Sequence, residues 1–178
     1  TLRSWADADR ILAAIEGAGG APRAARAVVV GMGFIGLEAA GSLRKRGLEV
    51  AVVGRDNVPL GKVFGPEIGA RLLRLHQENG VRFQPGRQAV EFRGGERVSE
   101  VLLDDGTRLE ADLVLVGIGI QPATEFLAGS GIALQADGSI PVSPRLETSV
   151  PGVFAAGDAA AVPDPRTEGL RRVEHWVE

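Results

Sequence analysis

The feature that most constrains the fold is a glycine-rich turn placed between two apolar segments. Residues 27–30 are continuously apolar, and the turn after them has the pattern GxGxxG, with Ala40 four residues beyond its last glycine. A helical stretch then runs to Arg46, and a second apolar segment occupies residues 48–54. A strand, a glycine turn, a helix and a strand in this short span predict a βαβ unit, whose strands are parallel and covered on both faces.

Each small residue of this turn has a geometric role. Gly31 permits the tight turn from strand to helix, and Gly33 lets the backbone approach a diphosphate with no Cβ in the way. Gly36 and Ala40 allow the helix to pack closely on the strands. The N–H groups of the first helical turn, around Ile35, and the positive end of the helix dipole then face the diphosphate. The alternative is a glycine-rich turn without a ligand, but its place inside a βαβ unit favours dinucleotide binding.

The residue expected to contact the adenosine ribose departs from the usual pattern. An acidic residue normally ends the second strand, about 20 residues after the glycines, and accepts hydrogen bonds from the 2'-hydroxyl. Here that position is Gly54, followed by Arg55 and Asp56. Arg55 could pair with a 2'-phosphate and favour NADPH, Asp56 could take the hydroxyl, or Arg55 could be a solvated surface charge. The sequence leaves these three alternatives open.

The remaining sequence predicts an α/β fold. Ser4 is a candidate N-cap for an amphipathic helix to Glu16, and another helix follows Pro66. Three short strands come next, two of them joined by a hairpin at Asp105-Gly106. We expect a Rossmann-like parallel sheet with helices and an antiparallel three-stranded meander, in a three-layer ββα sandwich. Further elements are predicted as strands at residues 112–120 and 152–158 and a short helix at residues 124–128.

Charge and composition exclude several classes of function. The net charge is −3, and the 20 basic residues are scattered without a run, which argues against nucleic-acid binding. The chain has no cysteine, which excludes disulfides, thiolate metal sites and cysteine redox centres within these residues, so redox chemistry needs a bound cofactor. The longest apolar stretch, residues 113–120, is far shorter than the ~20 residues that span a bilayer. We therefore expect a cytoplasmic protein with no membrane or metal partner.

Two further segments resemble motifs of one superfamily. Residues 116–124, VGIGIQPAT, resemble the strand that joins the pyridine-nucleotide domain to the flavin domain in the pyridine nucleotide-disulfide oxidoreductase superfamily. Residues 148–160, TSVPGVFAAGDAA, resemble its second FAD motif, in which an aspartate, here Asp158 after Gly157, hydrogen-bonds the ribityl chain. The resemblance implies NAD(P)H and FAD as cofactors.

The segments GFIGLEAAGSLRKRG and RRVEHW are similar to the ferredoxin and rubredoxin reductase branch, and especially to apoptosis-inducing-factor-like reductases. This resemblance implies that Phe34 lies against the nicotinamide, although Phe34 could also only fill space between helix and strand. It implies that Glu38 contacts the nicotinamide carboxamide or a lysine of the flavin half, the alternative being a solvated charge.

The same resemblance implies further cofactor contacts. Gly117 and Gly119 would let the cofactor lie close to a strand end, as expected beyond the carboxyl ends of parallel strands. His175 and Trp176 would lie on the flavin side, with His175 flanking the nicotinamide and the flavin. We assign no catalytic residue, because hydride transfer between two cofactors needs orientation and requires no acid or base.

The resemblance also implies the activity and the domain organisation. Hydride would pass from NAD(P)H to FAD and single electrons then to a ferredoxin or rubredoxin-type acceptor; the alternative is an NAD(P)H-sensing module with little turnover. Because the chain begins at Thr1 without Met, we expect an inactive piece of a longer flavoprotein. Residues 1–21 and 144–178 would belong to the FAD domain, and residues 22–143 would form the NAD(P)-binding domain. The nucleotide preference, acceptor, oligomeric state and retention of FAD stay open, as does a catalytic cysteine elsewhere in the parent.

Overall fold

The computed structural model of the chain describes residues 2–16, 25–167 and 169–172. By its internal contacts the chain forms two compact units, Thr1–Gly119 and Ile120–Glu178. The expected division into residues 1–21, 22–143 and 144–178 concerns the cofactor that each segment serves, and it stays a prediction. His175 and Trp176 lie outside the described residues.

The described part of the first unit contains helices and two sheets. Its helices are α1 (Trp5–Ile15), α2 (Phe34–Lys45), α3 (Gly61–Phe64) and α4 (Pro66–Glu78). Its strands are β1 (Arg26–Val30), β2 (Glu49–Gly54), β3 (Val81–Pro85), β4 (Ala89–Gly94), β5 (Val98–Leu103), β6 (Arg108–Glu110) and β7 (Leu113–Val116).

A parallel sheet forms the centre of this unit, in the order β3-β2-β1-β7. All three strand pairs are parallel, and Val30 at the end of β1 lies opposite Val53 of β2 on one side and Val116 of β7 on the other. The connection from β1 through α2 to β2 is the βαβ unit that the sequence predicts. The carboxyl ends of β1, β2 and β7 therefore lie side by side at one edge of the sheet.

Alternate residues of the central strands pack on different layers. Val29, with no exposed surface, belongs to a core cluster with Ala40 of α2, whereas its neighbour Val28 belongs to a cluster with Val101 of β5. Because successive strand side chains point to opposite faces, helices cover one face of the sheet and the meander covers the other. The predicted three-layer α/β fold is confirmed.

The meander is the antiparallel sheet β4-β5-β6. Its second turn forms at the predicted Asp-Gly pair: Gly106 has φ +85° and its N–H donates to the Leu103 carbonyl at 3.0 Å. Glycine adopts this left-handed backbone at no steric cost. The N-cap of α1 is confirmed as well, because the Ser4 side chain accepts a hydrogen bond from the Asp7 N–H.

The second unit is smaller and contains short elements. Its described strands are β8 (Ile140–Pro141), β9 (Ala160–Asp164) and β10 (Gly169–Arg172), with 3₁₀ helices at Glu125–Leu127 and Gly157–Ala159. Strand β9 lies between the other two, parallel to β8 and antiparallel to β10. A core cluster around Ile140, Val142 and Ala160 holds this unit together.

Two strand predictions need correction. No strand forms over residues 152–158: Gly152 has φ +76°, Phe154 makes an isolated bridge to Glu147, and a 3₁₀ helix begins at Gly157. The strand predicted at residues 112–120 ends at Val116, and Gly119 has φ +143°. In both places the apolar composition is typical of a strand, but glycines with positive φ take the backbone away from an extended path.

Candidate functional site

The glycine turn lies at the carboxyl end of β1, where the chain leaves the sheet. Gly31 has φ +120°, and its N–H donates to the Val53 carbonyl of β2 at 2.8 Å. A Cβ on Gly31 would lie 2.1 Å from the carbonyl oxygen of Gly117, the residue that follows β7. Only glycine satisfies both the backbone conformation and this close approach.

Gly36 brings helix α2 against the same turn. A Cβ on Gly36 would lie 2.1 Å from the Gly31 carbonyl oxygen and 3.5 Å from a Val29 methyl group. One turn further, Ala40 has no exposed surface and belongs to the core cluster. The small residues of the fingerprint therefore let the first turns of α2 pack directly on the end of β1, as the sequence predicts.

Gly33 differs from Gly31 and Gly36 because nothing crowds it. Gly33 is the N-cap of α2, with φ −83°, and no side chain caps the helix. A Cβ built on Gly33 would find no heavy atom within 4 Å. The first turn of α2 holds no acidic residue that would neutralise the positive end of the helix dipole. An anionic group can therefore approach the backbone N–H groups here.

The topology places this helix end at the point where ligands bind in open α/β sheets. Strand β1 has β2 on one side and β7 on the other. The chain runs from β1 outward to β2 and β3 and then returns through the meander to β7, so the strand order reverses at β1. The crevice outside the carboxyl ends of strands at such a switch point is the general ligand site of doubly wound sheets. Gly31, Ile35, Gly36 and Gly117 meet there: a Cβ on Gly117 would lie 3.6 Å from both the Gly36 nitrogen and the Ile35 Cγ2. The residues fit the diphosphate of a dinucleotide.

The end of β2 contains the residues considered for the ribose. Gly54 is its last residue, and a Cβ there would lie 2.7 Å from the Met32 Cγ. Arg55 is exposed. Asp56 is half-buried, and its Oδ1 forms an ion pair with the Nζ of Lys62 in α3 at 2.8 Å.

The residues assigned to the nicotinamide side begin helix α2. Phe34 is its first residue and is half-buried; its ring meets the ring of Phe64 edge-on, with centroids 5.7 Å apart. Glu38 is exposed on the same helix. Gly119 closes the first unit, and a Cβ there would find no heavy atom within 4 Å. The roles of Phe34, Glu38 and Gly119 toward a nicotinamide stay predictions.

Two of the four residues predicted on the flavin side, Gly157 and Asp158, are described by the structure, and both belong to the second unit. Gly157, with φ +76°, begins a 3₁₀ helix in which Asp158 is the second residue and is exposed. The two other flavin-side predictions, His175 and Trp176, lie outside the described residues.

Three residues of this region were not foreseen from the sequence: Met32, Lys62 and Phe64. Each of them contacts a residue that local sequence patterns do not place beside it. Met32 lies against Gly54, Lys62 pairs with Asp56, and the Phe64 ring meets that of Phe34. The segment between β2 and α4 has no periodicity that would place α3. The available signals were weak, namely a lone Asp and Lys six residues apart and an aromatic residue in a loop.

Two negative findings apply to residues 2–16, 25–167 and 169–172. No group of three or more His, Asp or Glu side chains among them is arranged to hold a metal ion. None of the helices among them is both long enough and apolar enough to cross a membrane.

Comparison with known proteins places this geometry in context. The sequence profile described as pyridine nucleotide-disulphide oxidoreductase matches residues 1–178. Apoptosis-inducing factor 3 of Mus musculus is 38% identical over 178 residues, which are 99% of this chain and 28% of that protein. The ferredoxin reductase for the CYP199A2 system of Rhodopseudomonas palustris is 39% identical, with a TM-score of 0.77 over 85% of this chain and 37% of that one. The chain thus spans about a third of the length of these relatives.

The water-forming NADH oxidase of Lactobacillus brevis and its engineered variant are also similar. Both have a TM-score of 0.81 and 25% identity, covering 97% of this chain and 37% of theirs. The oxidase is bound to NADH, and the variant, an NADPH oxidase, is bound to NADPH. The substitutions in the variant include an aspartate exchanged for alanine and, at the next position, an alanine exchanged for arginine.

Proposed function

Because this chain belongs to the pyridine nucleotide-disulphide oxidoreductase family, whose members use FAD and NAD(P)H, we propose that it is the NAD(P)H-binding portion of a flavin-dependent reductase. The observation that carries this proposal is the open N-terminus of α2. It lies at the switch point of the sheet, without a side-chain cap and with no atom near the Cβ position of Gly33. A diphosphate supplies the missing negative charge and hydrogen-bond acceptors.

The residues of the first unit bind and orient the nucleotide. Gly31 and Gly36 keep the helix on the strand end, and the backbone at Gly33 receives the diphosphate. Phe34, at the first position of the helix, covers the nicotinamide, and Glu38 contacts its carboxamide. In a hydride transfer between two cofactors, the protein orients the nicotinamide and the flavin toward each other and excludes water from between them.

The second unit contributes to flavin binding. We propose that Asp158, exposed at the second position of its 3₁₀ helix, accepts a hydrogen bond from the ribityl chain, with Gly157 allowing close approach. When bound, FAD supplies the chemistry that links a two-electron hydride donor to a one-electron acceptor. His175 and Trp176 are proposed to line the same flavin.

The acceptor we propose for the whole protein is a ferredoxin or rubredoxin-type iron–sulfur protein. Support comes from the ferredoxin reductase of Rhodopseudomonas palustris, which is 39% identical. The second candidate is an NAD(P)H-sensing protein with little turnover, favoured by the 38% identity to apoptosis-inducing factor 3. Multiple turnover of the full-length protein with a ferredoxin supports the reductase; a single slow reduction and a long-lived charge-transfer band support the sensor.

The binding proposal is tested on the 178-residue chain by titration with NADH and NADPH, followed by fluorescence. Gly33→Val adds a side chain where the structure has room for it and where the diphosphate must approach. We expect at least about a tenfold loss of affinity, or about 1.4 kcal/mol. Gly41→Val is the matched control, because Gly41 also has no atom within 4 Å of its Cβ position but lies further along α2. Equal affinity of both variants and the wild type would contradict the proposal.

A further inference from the structure

Strand β4 lies at one edge of the meander, whose order is β4-β5-β6. Within the part of the chain that the structure describes, β5 is the only strand paired with it. The unpaired N–H and C=O groups of an edge strand can pair with another extended chain. The side chains of this edge are partly apolar and exposed, because Val90 and Phe92 have 58% and 52% of their surface accessible. The outer edge of β4 is therefore a surface to which a further strand can be added.

The regular part of this edge is residues 91–93. These residues pair with residues 100–102 of β5 in unbroken register, whereas the register shifts on both sides of the segment. Phe92 lies opposite Val101, which has no exposed surface, so the Phe92 ring is on the face that covers the parallel sheet. Glu91 and Arg93 are on the other face, where the Glu91 Oε2 is 2.7 Å from the Arg93 Nη2. The edge thus presents an aromatic ring on one face and two opposite charges on the other.

The order of these charges favours a second copy of the same strand as the partner. Two β4 strands related by a two-fold axis perpendicular to the sheet run antiparallel, and the residue on the axis lies opposite its own copy. With Phe92 on the axis, each Glu91 lies opposite the Arg93 of the other copy. With Glu91 or Arg93 on the axis, two like charges lie directly opposite each other, which is destabilising. Of these three registers, the charges favour the one centred on Phe92.

The side chains on the axis support the same register. Each Phe92 ring meets its own copy, and aromatic pairs directly across two strands stabilise antiparallel sheets. The ion pair within one strand does not prevent this, because Glu91 and Arg93 are 51% and 38% exposed and such surface pairs are weakly held. In the dimer, each of the four charges has an opposite charge both along its own strand and across the axis.

We propose that β4 is a self-association edge, through which two copies of this chain join their meanders into one continuous antiparallel sheet. The segment in contact is short, so we expect a weak dimer at the low end of interface sizes, under about 1,200 Å² of total buried surface. The surface lies outside the proposed nucleotide site, and the inference does not depend on the proposed function.

Sedimentation equilibrium of the 178-residue chain over a wide range of concentrations tests the proposal, and we expect a reversible monomer–dimer equilibrium. Phe92→Lys puts a hydrated charge on the axis, a device that protects natural edge strands, and should weaken dimerisation at least about tenfold. Ile68→Lys is the matched control, because Ile68 is 51% exposed but lies on α4. It should leave the association unchanged. A wild-type chain that is monomeric at all concentrations, or equal effects of the two lysine variants, would overturn the proposal.

Charge reversal tests the register. Glu91→Arg and Arg93→Glu each place like charges across the axis, so each variant alone should dimerise at least about tenfold more weakly. An equimolar mixture of the two variants should associate again, because every charge in the mixed dimer faces an opposite charge across the axis. A role of the ion pair within one chain predicts no such rescue, so a mixture that stays monomeric would overturn the proposal.

The folding of these variants is checked by circular dichroism. Arg93 also lies 3.5 Å from Glu100 of β5, so Arg93→Glu brings two carboxylates together within the chain. If that variant does not fold, Phe92→Lys and Glu91→Arg decide the question. Dimerisation of both at the wild-type concentration would then overturn the proposal.

Discussion

Gly36 packs so closely on Gly31 that a Cβ on Gly36 would lie 2.1 Å from the Gly31 carbonyl oxygen. Because the obstructing atom belongs to the backbone, no side-chain rotation can relieve the clash. This contact sets the distance between the N-terminal turn of α2 and the end of β1. Gly33, three residues earlier, has no such neighbour. Two glycines of one fingerprint thus have different roles, one in packing and the other in leaving space for a ligand.

Gly36→Ala is expected to destabilise the chain although it adds a single methyl group. The helix must move away from the strand, and overpacking of this kind costs about 1–3 kcal/mol in the free energy of unfolding. Gly41→Ala, in the same helix, meets no atom within 4 Å and should stabilise by up to about 1 kcal/mol, since alanine is the better helix former. Urea unfolding measures both changes. Similar stabilities of the two variants would refute the packing role of Gly36.

The edge-on contact of Phe34 and Phe64 should couple α2 to α3 energetically. Aromatic pairs of this geometry contribute about 0.5–1.5 kcal/mol beyond their burial. A double-mutant cycle with Phe34→Leu, Phe64→Leu and the double variant should therefore give a coupling energy in that range. Leucine keeps apolar volume while removing the ring interaction. Additive effects on the free energy of unfolding would show that the two rings contribute independently.

Asp112 should make stability depend on pH in the acid range. Asp112 directly precedes β7, and its carboxylate accepts hydrogen bonds from the Ala25 and Arg26 N–H groups and from the Arg26 guanidinium. The Arg26 side chain is the largest cause that holds the pKa of Asp112 below its ordinary value, against the opposing effect of desolvation. A group with a lowered pKa in the folded state stabilises the fold above its unfolded pKa, about 3.9 for aspartate. That contribution is lost as the pH falls through the folded-state pKa.

Asp112→Asn is therefore expected to lower Tm by a few degrees at pH 7 and by progressively less as the pH falls below about 4. Because the other carboxylates titrate in both proteins, the difference in Tm between wild type and variant reports the contribution of Asp112 alone. Asp9→Asn, on the exposed side of α1, is the control and should leave Tm nearly unchanged at both pH values. If Asp112→Asn lowers Tm by the same amount at pH 3 and at pH 7, the stabilising effect of Asp112 does not depend on its ionisation, and the prediction is wrong.

The elements that could be predicted from the sequence depend on residues close together in the chain. The βαβ unit, the Ser4 cap and the turn at Gly106 are of this kind, because periodicity, capping and positive φ are encoded within a few residues. The failed strand at residues 152–158 shows the limit of that local information. Its apolar side chains are typical of a strand, but Gly152 and Gly157 have positive φ there. Because glycine adopts positive and negative φ about equally readily, a glycine outside a known turn motif does not reveal which conformation the folded chain selects.

From the sequence alone came the glycine fingerprint, the α/β architecture and the choice of Arg55 and Asp56 as the residues to consider. Only the tertiary structure showed that Met32 covers Gly54, that Lys62 pairs with Asp56, and that Asp112 anchors Arg26, 86 residues away. Such contacts depend on which strands become neighbours and how loops between them close. Their energies arise from side chains that meet only after the sheet has formed, so no local pattern records them.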